Sequence, residues 1–166
     1  MIAALVPKCK SLCDIGTDHA YVAIYLAKKG IAEKIIATDI KKGPLAQAEK
    51  NIRAFEVSDK IETRLSNGFS AIAENEVECS IIAGMGGEEI CSIISKASSL
   101  PEKLVLQPMK NCDKVRVTVV EKGYKIISDS VFFSAGKFYD LISLEKGCDN
   151  LTQEEMASRL GVSTPA

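Results

Sequence analysis

"KSLCDIGTDHAY" (10–21) is the stretch of sequence that decides the fold. Its apolar run ends in Asp14, and Gly16 follows at the point where the chain must turn. From His19 to Lys29 the apolar residues recur at helical spacing. A buried strand, a glycine turn and a helix in this order are typical of the first unit of a nucleotide-binding α/β fold.

The same alternation continues along the chain and predicts four more strands, each followed by a helix or a loop. These strands are "EKIIATDI" (33–40), "KIETRLS" (60–66), "VECSIIAG" (77–84) and "KLVLQP" (103–108). Helices are predicted from Gly43 and Pro44 onward, over 88–97 and over 111–122. Such an alternation predicts a mostly parallel sheet with helices on both faces, which is an α/β fold.

A hairpin is predicted at the end of this domain. The strand-like runs "YKIISDSVFF" (124–133) and "KFYDLISLE" (137–145) are joined by a short turn that contains Gly136. We therefore assign residues 1–150 to one domain with an antiparallel edge. Thr152 and Glu155 fit a capping box, which predicts that 151–166 begins a further helix.

Composition excludes several classes of protein. The chain has 166 residues, 46% hydrophobic and 26% charged, with a net charge of −1. Nucleic-acid binding would therefore require a local basic patch. The sequence contains neither an apolar run long enough to cross a bilayer nor a signal-peptide pattern at its start, so we expect a cytoplasmic protein without membrane contact.

Cysteine spacing argues against a metal site. The six cysteines include no CxxC pair, and His19 is the only histidine, so we expect no metal. Cys13, Cys79 and Cys91 lie in apolar segments and are expected to pack as small hydrophobic residues.

Marked residues stand at the ends of four predicted strands, where ligands bind in sheets of this kind. The candidate cofactor-binding residues are Asp14, Gly16, Asp18, Asp39, Asn67, Gly68, Gly84, Met85 and Gly86. A carboxylate at the end of the second strand, Asp39, suits the two hydroxyls of a ribose.

The first turn distinguishes between two nucleotide cofactors. A dinucleotide site reads G-x-G-x-x-G, and the register here gives Gly16, Asp18 and Tyr21. The carboxylate of Asp18 would repel a pyrophosphate. S-adenosyl-L-methionine carries a sulfonium and an ammonium group and no phosphate, so the sequence favours this methyl donor over NAD.

Each acidic residue also has a purely structural explanation. Asp14 could cap a buried turn, Asp39 could be a solvated strand end, and Asp18 could be the N-cap of the following helix. Because they coincide at successive strand ends, together with Asn67 and Gly68, binding remains the favoured interpretation.

Five segments resemble the bacterial tRNA methyltransferases that modify N1 of adenine 22. They are "DIGTDHAY" (14–21), "IATDIKKGPL" (36–45), "SNGF" (66–69), "IIAGMGG" (81–87) and "LVLQPM" (104–109). The resemblance implies a class I methyltransferase Rossmann-like domain that uses S-adenosyl-L-methionine and acts on tRNA. It also implies a C-terminal helical domain, of which 151–166 would be the start.

Within the resemblance, three positions need comment. Asn67 stands where the family usually has an aspartate, and Asp140 stands where a glutamate is more usual. The "GMGG" turn (84–87) replaces the Asn-Pro-Pro-Tyr type motif of many amino methyltransferases, which agrees with attack by a ring nitrogen.

The chemistry of N1 suggests which residues would act in catalysis. This nitrogen has its own lone pair, so alignment and electrostatics matter more than a strong base. Methylation makes the base cationic, and Asp18 is the candidate to stabilise that charge. Tyr21 is expected to stack on the base or bond to its edge, and His19 is a weaker candidate.

A basic rim is predicted beside the same strand ends. It would hold RNA phosphates through Lys41, Lys42, Lys110, Lys114 and Arg116. The alternative is a solvated charged surface. Aromatic residues are 5% of the chain, so a broad stacking platform is not expected.

Three other functions stay open from the sequence. One is a methyltransferase of the same fold that acts on a small molecule or a protein. Another is a non-catalytic module that binds nucleotide or RNA. A dehydrogenase is the least favoured because of Asp18.

Overall fold

The computed structural model describes residues 2–148. A short 3₁₀ helix, Ile2–Leu5, precedes seven strands and four helices within this range. The strands are β1 Cys9–Ile15, β2 Ala32–Asp39, β3 Ile61–Leu65, β4 Cys79–Met85, β5 Lys103–Pro108, β6 Tyr124–Ser134 and β7 Lys137–Lys146. The helices are α1 Tyr21–Lys28, α2 Lys42–Ala54, α3 Gly87–Lys96 and α4 Cys112–Glu121.

All seven strands form one sheet in the order β3-β2-β1-β4-β5-β7-β6. Strands β1 to β5 are parallel, and β7 runs antiparallel to both β5 and β6. The strand order reverses at β1, which pairs with β2 on one side and β4 on the other. The predicted α/β fold with an antiparallel terminal hairpin is confirmed. The reversal opens a crevice at the carboxyl ends of these strands.

The sheet carries a hydrophobic core on each face. On one face, Ile24 and Leu26 of α1 and Ile52 of α2 pack with Leu12 of the sheet. On the other face, α3 and α4 pack their isoleucine and valine side chains against β4, β5 and β7. Burial on both faces explains why β1, β2, β4 and β5 are rich in apolar residues, whereas only Ile61 is buried in the edge strand β3.

The start of α1 differs from the prediction. The helix begins at Tyr21 rather than His19, because Asp18 and Ala20 adopt left-handed φ angles of 52° and 61°. Ala20 is the N-cap residue, and no side chain caps the helix. The alternative in which Asp18 serves as the N-cap is therefore wrong.

The cysteine side chains pack largely as expected. Cys13 and Cys79 are fully buried. Cys91 is partly buried, and its Sγ accepts a hydrogen bond of 3.2 Å from Oγ1 of Thr118. Burial raises the pKa of the Cys79 thiol to about 12, so this group stays neutral at physiological pH.

The described residues contain neither a membrane-spanning helix nor a cluster of metal-binding side chains. Between residues 2 and 148, no helix is long and apolar enough to cross a membrane. No group of three or more His, Cys, Asp or Glu side chains in the same range could hold a metal ion. The predicted helix that starts at Thr152 lies outside the described residues.

Candidate functional site

A cleft of about 370 Å³ opens at the carboxyl ends of β1, β2 and β4. Six of the nine candidate cofactor-binding residues line it: Gly16, Asp18, Asp39, Asn67, Gly68 and Met85. The other three candidates, Asp14, Gly84 and Gly86, do not line the cleft but lie in the strands and turns that shape it. The structure thus brings the four predicted strand ends together in one site.

Asp39 is the most firmly held acidic group of the cleft. Its Oδ1 accepts a hydrogen bond of 2.9 Å from the backbone N–H of Lys41. Its Oδ2 accepts one of 3.2 Å from the backbone N–H of Asp18. The residue is only 9% exposed, so it is not a solvated strand end. Each carboxylate oxygen keeps a second lone pair that can accept from a ligand hydroxyl.

Gly16 forms the floor of the cleft next to Met85. Its φ of +70° favours glycine, and a Cβ at this position would lie 2.0 Å from Cε of Met85. The thioether therefore covers the turn directly. Gly16 and Met85 therefore give the cleft an apolar base.

Asp14 lies behind the cleft and braces the turn. It is 5% exposed, and Oγ1 of Thr17 donates a 2.8 Å hydrogen bond to its Oδ2. Burial, to which the nearby charge of Asp39 adds, raises the pKa of this carboxyl to about 6, although the bond from Thr17 opposes the rise. Asp14 therefore carries a structural role of the kind that the turn-capping alternative supposes.

The segment after β3 forms a tight loop on the opposite wall. The hydroxyl of Ser66 donates to the carbonyl of Gly68 at 2.8 Å and accepts from the N–H of Ala71 at 3.1 Å. Asn67 donates its backbone N–H to Ser70 at 3.1 Å. Ser66 could not be identified from the sequence as a support of this loop, because a lone serine before an Asn-Gly turn is common.

The three candidate catalytic residues form one cluster, of which Asp18 lines the cleft. Nδ1 of His19 is 2.8 Å from Oδ2 of Asp18. The rings of His19 and Tyr21 are stacked, with centroids 5.9 Å apart and planes within 5°. Tyr21 is 61% exposed, and Asp18 and His19 are exposed as well. The cluster therefore offers a carboxylate, an imidazole and an aromatic face to an approaching substrate.

The "GMGG" turn is fixed by the segment that follows β5. The side-chain carbonyl of Gln107 accepts from the N–H of Gly84 at 3.1 Å. The N–H of Gly87 donates to the carbonyl of Lys110 at 2.9 Å, and that of Met109 donates to Met85 at 2.8 Å. Gln107, for which the sequence predicts no role, therefore supports this turn.

The predicted basic rim is only partly present. Lys41, Lys42 and Lys110 are exposed at the carboxyl edge of the sheet. Lys114 is also exposed, but its Nζ lies 2.7 Å from a carboxylate oxygen of Glu88.

Arg116 does not belong to that rim. Its side chain is 11% exposed and binds Asp129 with two hydrogen bonds, of 2.7 and 2.8 Å, and Asp140 with one of 2.5 Å. Its guanidinium is therefore neutralised by ion pairs with two neighbouring carboxylates. Arg116 therefore joins α4 to the hairpin instead of facing phosphates.

Comparisons with known proteins agree with this geometry. Residues 1–142 match the family model of a methyltransferase domain. A Streptococcus pneumoniae protein, provisionally assigned as a tRNA (m1A22) methyltransferase and solved with S-adenosyl-L-methionine, is 35% identical, with a TM-score of 0.85 over 93% of this chain and 74% of that chain. A protein from M. capricolum, solved with S-adenosyl-homocysteine, is 29% identical, with a TM-score of 0.85 over 93% of this chain and 71% of that chain.

A curated relative has an assigned reaction. The tRNA (adenine(22)-N(1))-methyltransferase of Bacillus subtilis is 29% identical over 149 residues, which are 88% of this chain and 63% of the relative. The chain thus spans less than two thirds of the length of that protein.

Fold and cleft together define a Rossmann-like methyltransferase domain. More narrowly, the chain belongs to the family of tRNA (m1A22) methyltransferases. The family resemblance predicted from the five sequence segments is therefore confirmed.

Proposed function

We propose that this chain transfers a methyl group from S-adenosyl-L-methionine to N1 of adenine 22 in tRNA. The observation that carries the proposal is the orientation of Asp39. Backbone N–H groups of Asp18 and Lys41 fix both of its oxygens inside the cleft. Membership of the family and the ligands of the Streptococcus and M. capricolum proteins support the same cofactor.

The residues of the cleft fit this cofactor. A volume of about 370 Å³ lies within the usual range for small-molecule sites, roughly 300–1,000 Å³. Asp39 would hold the ribose hydroxyls, and Gly16 and Met85 would form the apolar floor beneath the nucleoside. Asp18 places negative charge near the first turn, which favours a sulfonium or ammonium group and disfavours a diphosphate.

When bound, S-adenosyl-L-methionine supplies a methyl group activated on a positively charged sulfur. The residues of this chain have to align the acceptor nitrogen and stabilise the charge that develops on the base. Asp18 would stabilise that charge, and its exposed carboxylate on the lining of the cleft supports this role. His19 pairs with that carboxylate through Nδ1, which leaves its Nε2 free to contact the base. Tyr21 offers an exposed ring for stacking.

The substrate would approach over the carboxyl edge of the sheet. Lys41, Lys42 and Lys110 are the cations from the predicted rim that form no ion pair among the described residues, so they are the candidates for phosphate contacts. N1 lies on the Watson–Crick edge, and the adenine must therefore leave any pair or stack before it reacts.

The test is a methylation assay with the 166-residue chain, tRNA and radiolabelled donor, followed by nucleoside analysis. We expect 1-methyladenosine with wild-type tRNA and none when adenine 22 is replaced by guanine. Labelling of a metabolite or a protein but not of tRNA would favour a different acceptor. Absence of any binding of the donor would indicate a non-catalytic module.

A further inference from the structure

The terminal hairpin projects beyond the edge of the sheet on which the cleft opens. In the register of β5 with β7, Leu106 lies opposite Ile142, so the end of β5 at Pro108 is level with Asp140. The strands continue past this level to Ser134 and Lys137. Three further residues correspond to about 10 Å of extended chain. The tip of the hairpin, defined here as residues 131–139, therefore stands above the carboxyl edge.

The hairpin tip concentrates the aromatic residues of the chain. Four of the nine, namely Phe132, Phe133, Phe138 and Tyr139, lie within eight positions. Phe133 and Phe138 face each other across the strands, with centroids 5.0 Å apart, and are 63% and 75% exposed. The scarcity of aromatic residues in the sequence had argued against a stacking surface, but the fold gathers them at one place.

The aromatic pair is held in place from both sides. Side chains along a strand alternate between the two faces of the sheet, and paired residues share a face. Asp129 and Asp140 therefore lie on the same face as Phe133 and Phe138. Both carboxylates bind Arg116 of α4, which anchors the hairpin to the domain. On the other face, Phe132 stacks on Tyr139 with centroids 5.1 Å apart. An exposed aromatic pair on a braced support loses little conformational entropy when it binds.

Charge and position indicate the kind of partner. From 130 to 139 the only charged side chain is Lys137, which is exposed and suits a polyanion. The tip belongs to β6 and β7, and only β5 lies between β7 and β4, so strand spacing places the pair roughly 10–15 Å along the sheet from β4, whose Met85 lines the near side of the cleft. The exposed Lys110 lies in the loop after β5, on the same edge. Neighbouring unpaired bases of a bound RNA would reach this position.

We propose that Phe133 and Phe138 form a stacking site for an unpaired base of the RNA next to the target adenine. The inference rests on the proposed function, because it assumes that RNA approaches the carboxyl edge. Base stacking on aromatic side chains is independent of base identity, so the site would fix the position of the RNA and not its sequence. It would also help to keep the target adenine out of its stack.

The experiment compares four forms of the 166-residue chain: wild type, F133A/F138A, F133L/F138L and F55A. Phe55 is a matched control because it is 42% exposed and lies at the far end of α2, near the opposite edge. Affinities for tRNA and for a fully paired RNA duplex are measured by fluorescence anisotropy. Donor affinity is measured by calorimetry, and thermal melting checks the fold.

We expect F133A/F138A to bind tRNA about fivefold more weakly or worse, with a smaller loss for the duplex. F133L/F138L should bind tRNA as weakly as the alanine pair. Leucine keeps much of the apolar area but has no aromatic ring on which a base can stack. F55A should bind like wild type, and donor affinity should not change in any variant.

Three results would overturn the inference. If F133A/F138A bound and methylated tRNA like wild type, the stacking site would be refuted and the proposed function would be unaffected. Full recovery by the leucine pair, or a dimer that dissociates in the alanine pair, would assign the surface to protein contact. A wild-type chain that neither binds nor methylates tRNA would refute the proposed function, and the inference with it.

Discussion

The backbone N–H of Asp18 donates a hydrogen bond of 3.2 Å to Oδ2 of Asp39. This bond joins the turn after β1 to the end of β2, which form two sides of the cleft. The side chain of Asp18 takes no part in it and remains available at the mouth. The two acidic residues therefore have separable roles, which substitutions can distinguish.

Asp39→Asn should weaken the binding of S-adenosyl-L-methionine by roughly 10- to 100-fold. The amide keeps one acceptor oxygen but loses the charge and one backbone bond, which together are worth about 1.5–3 kcal/mol. Calorimetric titration measures the effect. Asp59→Asn, an exposed carboxylate in the loop before β3, is the control and should bind like wild type. An unchanged dissociation constant in Asp39→Asn would exclude the ribose role.

Asp18→Asn should leave donor binding nearly intact and reduce kcat by about tenfold. The backbone N–H to Asp39 is retained, so the cleft keeps its shape. The effect on kcat is modest because the carboxylate is 67% exposed and water screens its field. Single-turnover methylation of tRNA separates kcat from affinity. Wild-type turnover in this variant would remove Asp18 from the mechanism.

Asp14→Asn should make the protein more stable at pH 7, by about 1–3 kcal/mol. Burial raises the pKa of Asp14 to about 6, above its unfolded value of 3.8, so the folded state binds the proton more tightly. The contribution of this carboxyl to stability is therefore greatest below pH 4 and is lost as the pH rises to about 6.

Chemical denaturation between pH 4 and pH 7 measures this dependence. In the Asp14→Asn variant, the free energy of unfolding should no longer show the part of the pH dependence that comes from Asp14. The amide oxygen of the new asparagine can still accept the hydrogen bond from Thr17. Identical pH profiles for the wild type and Asp14→Asn would contradict the assignment.

Gly87→Ala should cost about 2–3 kcal/mol of stability. A Cβ at this position would lie 2.5 Å from the carbonyl oxygens of both Lys110 and Asn111, and backbone cannot move aside as a side chain can. The close contact between α3 and the loop after β5 would therefore be broken. Gly43→Ala in the first turn of α2 is the matched control.

Apart from its chain neighbours and the backbone of its own helix, no atom lies within 4 Å of a Cβ at Gly43. Alanine there should be neutral or stabilising by up to about 1 kcal/mol. Thermal melting of both variants provides the comparison. If Gly87→Ala and Gly43→Ala had the same melting temperature, the start of α3 and the loop after β5 could move apart without loss of stability, and the prediction would be wrong.

The sequence predicted β1, β2, β4 and β5 well because these parallel strands are largely buried and read as short apolar runs. It predicted residues that line the cleft for a related reason: the fold brings the carboxyl ends of β1, β2, β3 and β4 to one edge. Gly16, Asp39 and Met85 could be identified from their place after an apolar run alone.

Other features depend on contacts that the sequence does not encode locally. The left-handed φ angles of Asp18 and Ala20, which delay α1, have no glycine to mark them. Arg116 was wrongly placed on a phosphate-binding rim because its partners, Asp129 and Asp140, are 13 and 24 residues away. The support of the "GMGG" turn by Gln107 likewise joins two strands that are separated in the chain.

A crystal structure of the 166-residue chain with S-adenosyl-L-methionine is the most direct test of the central claim. We predict that the nucleoside lies in the cleft with its ribose on Asp39, its donor sulfur near Gly16 and Met85, and its methyl group directed toward Asp18 and Tyr21. A donor bound away from Asp39, or a dinucleotide that seats its diphosphate against the first turn, would contradict the account.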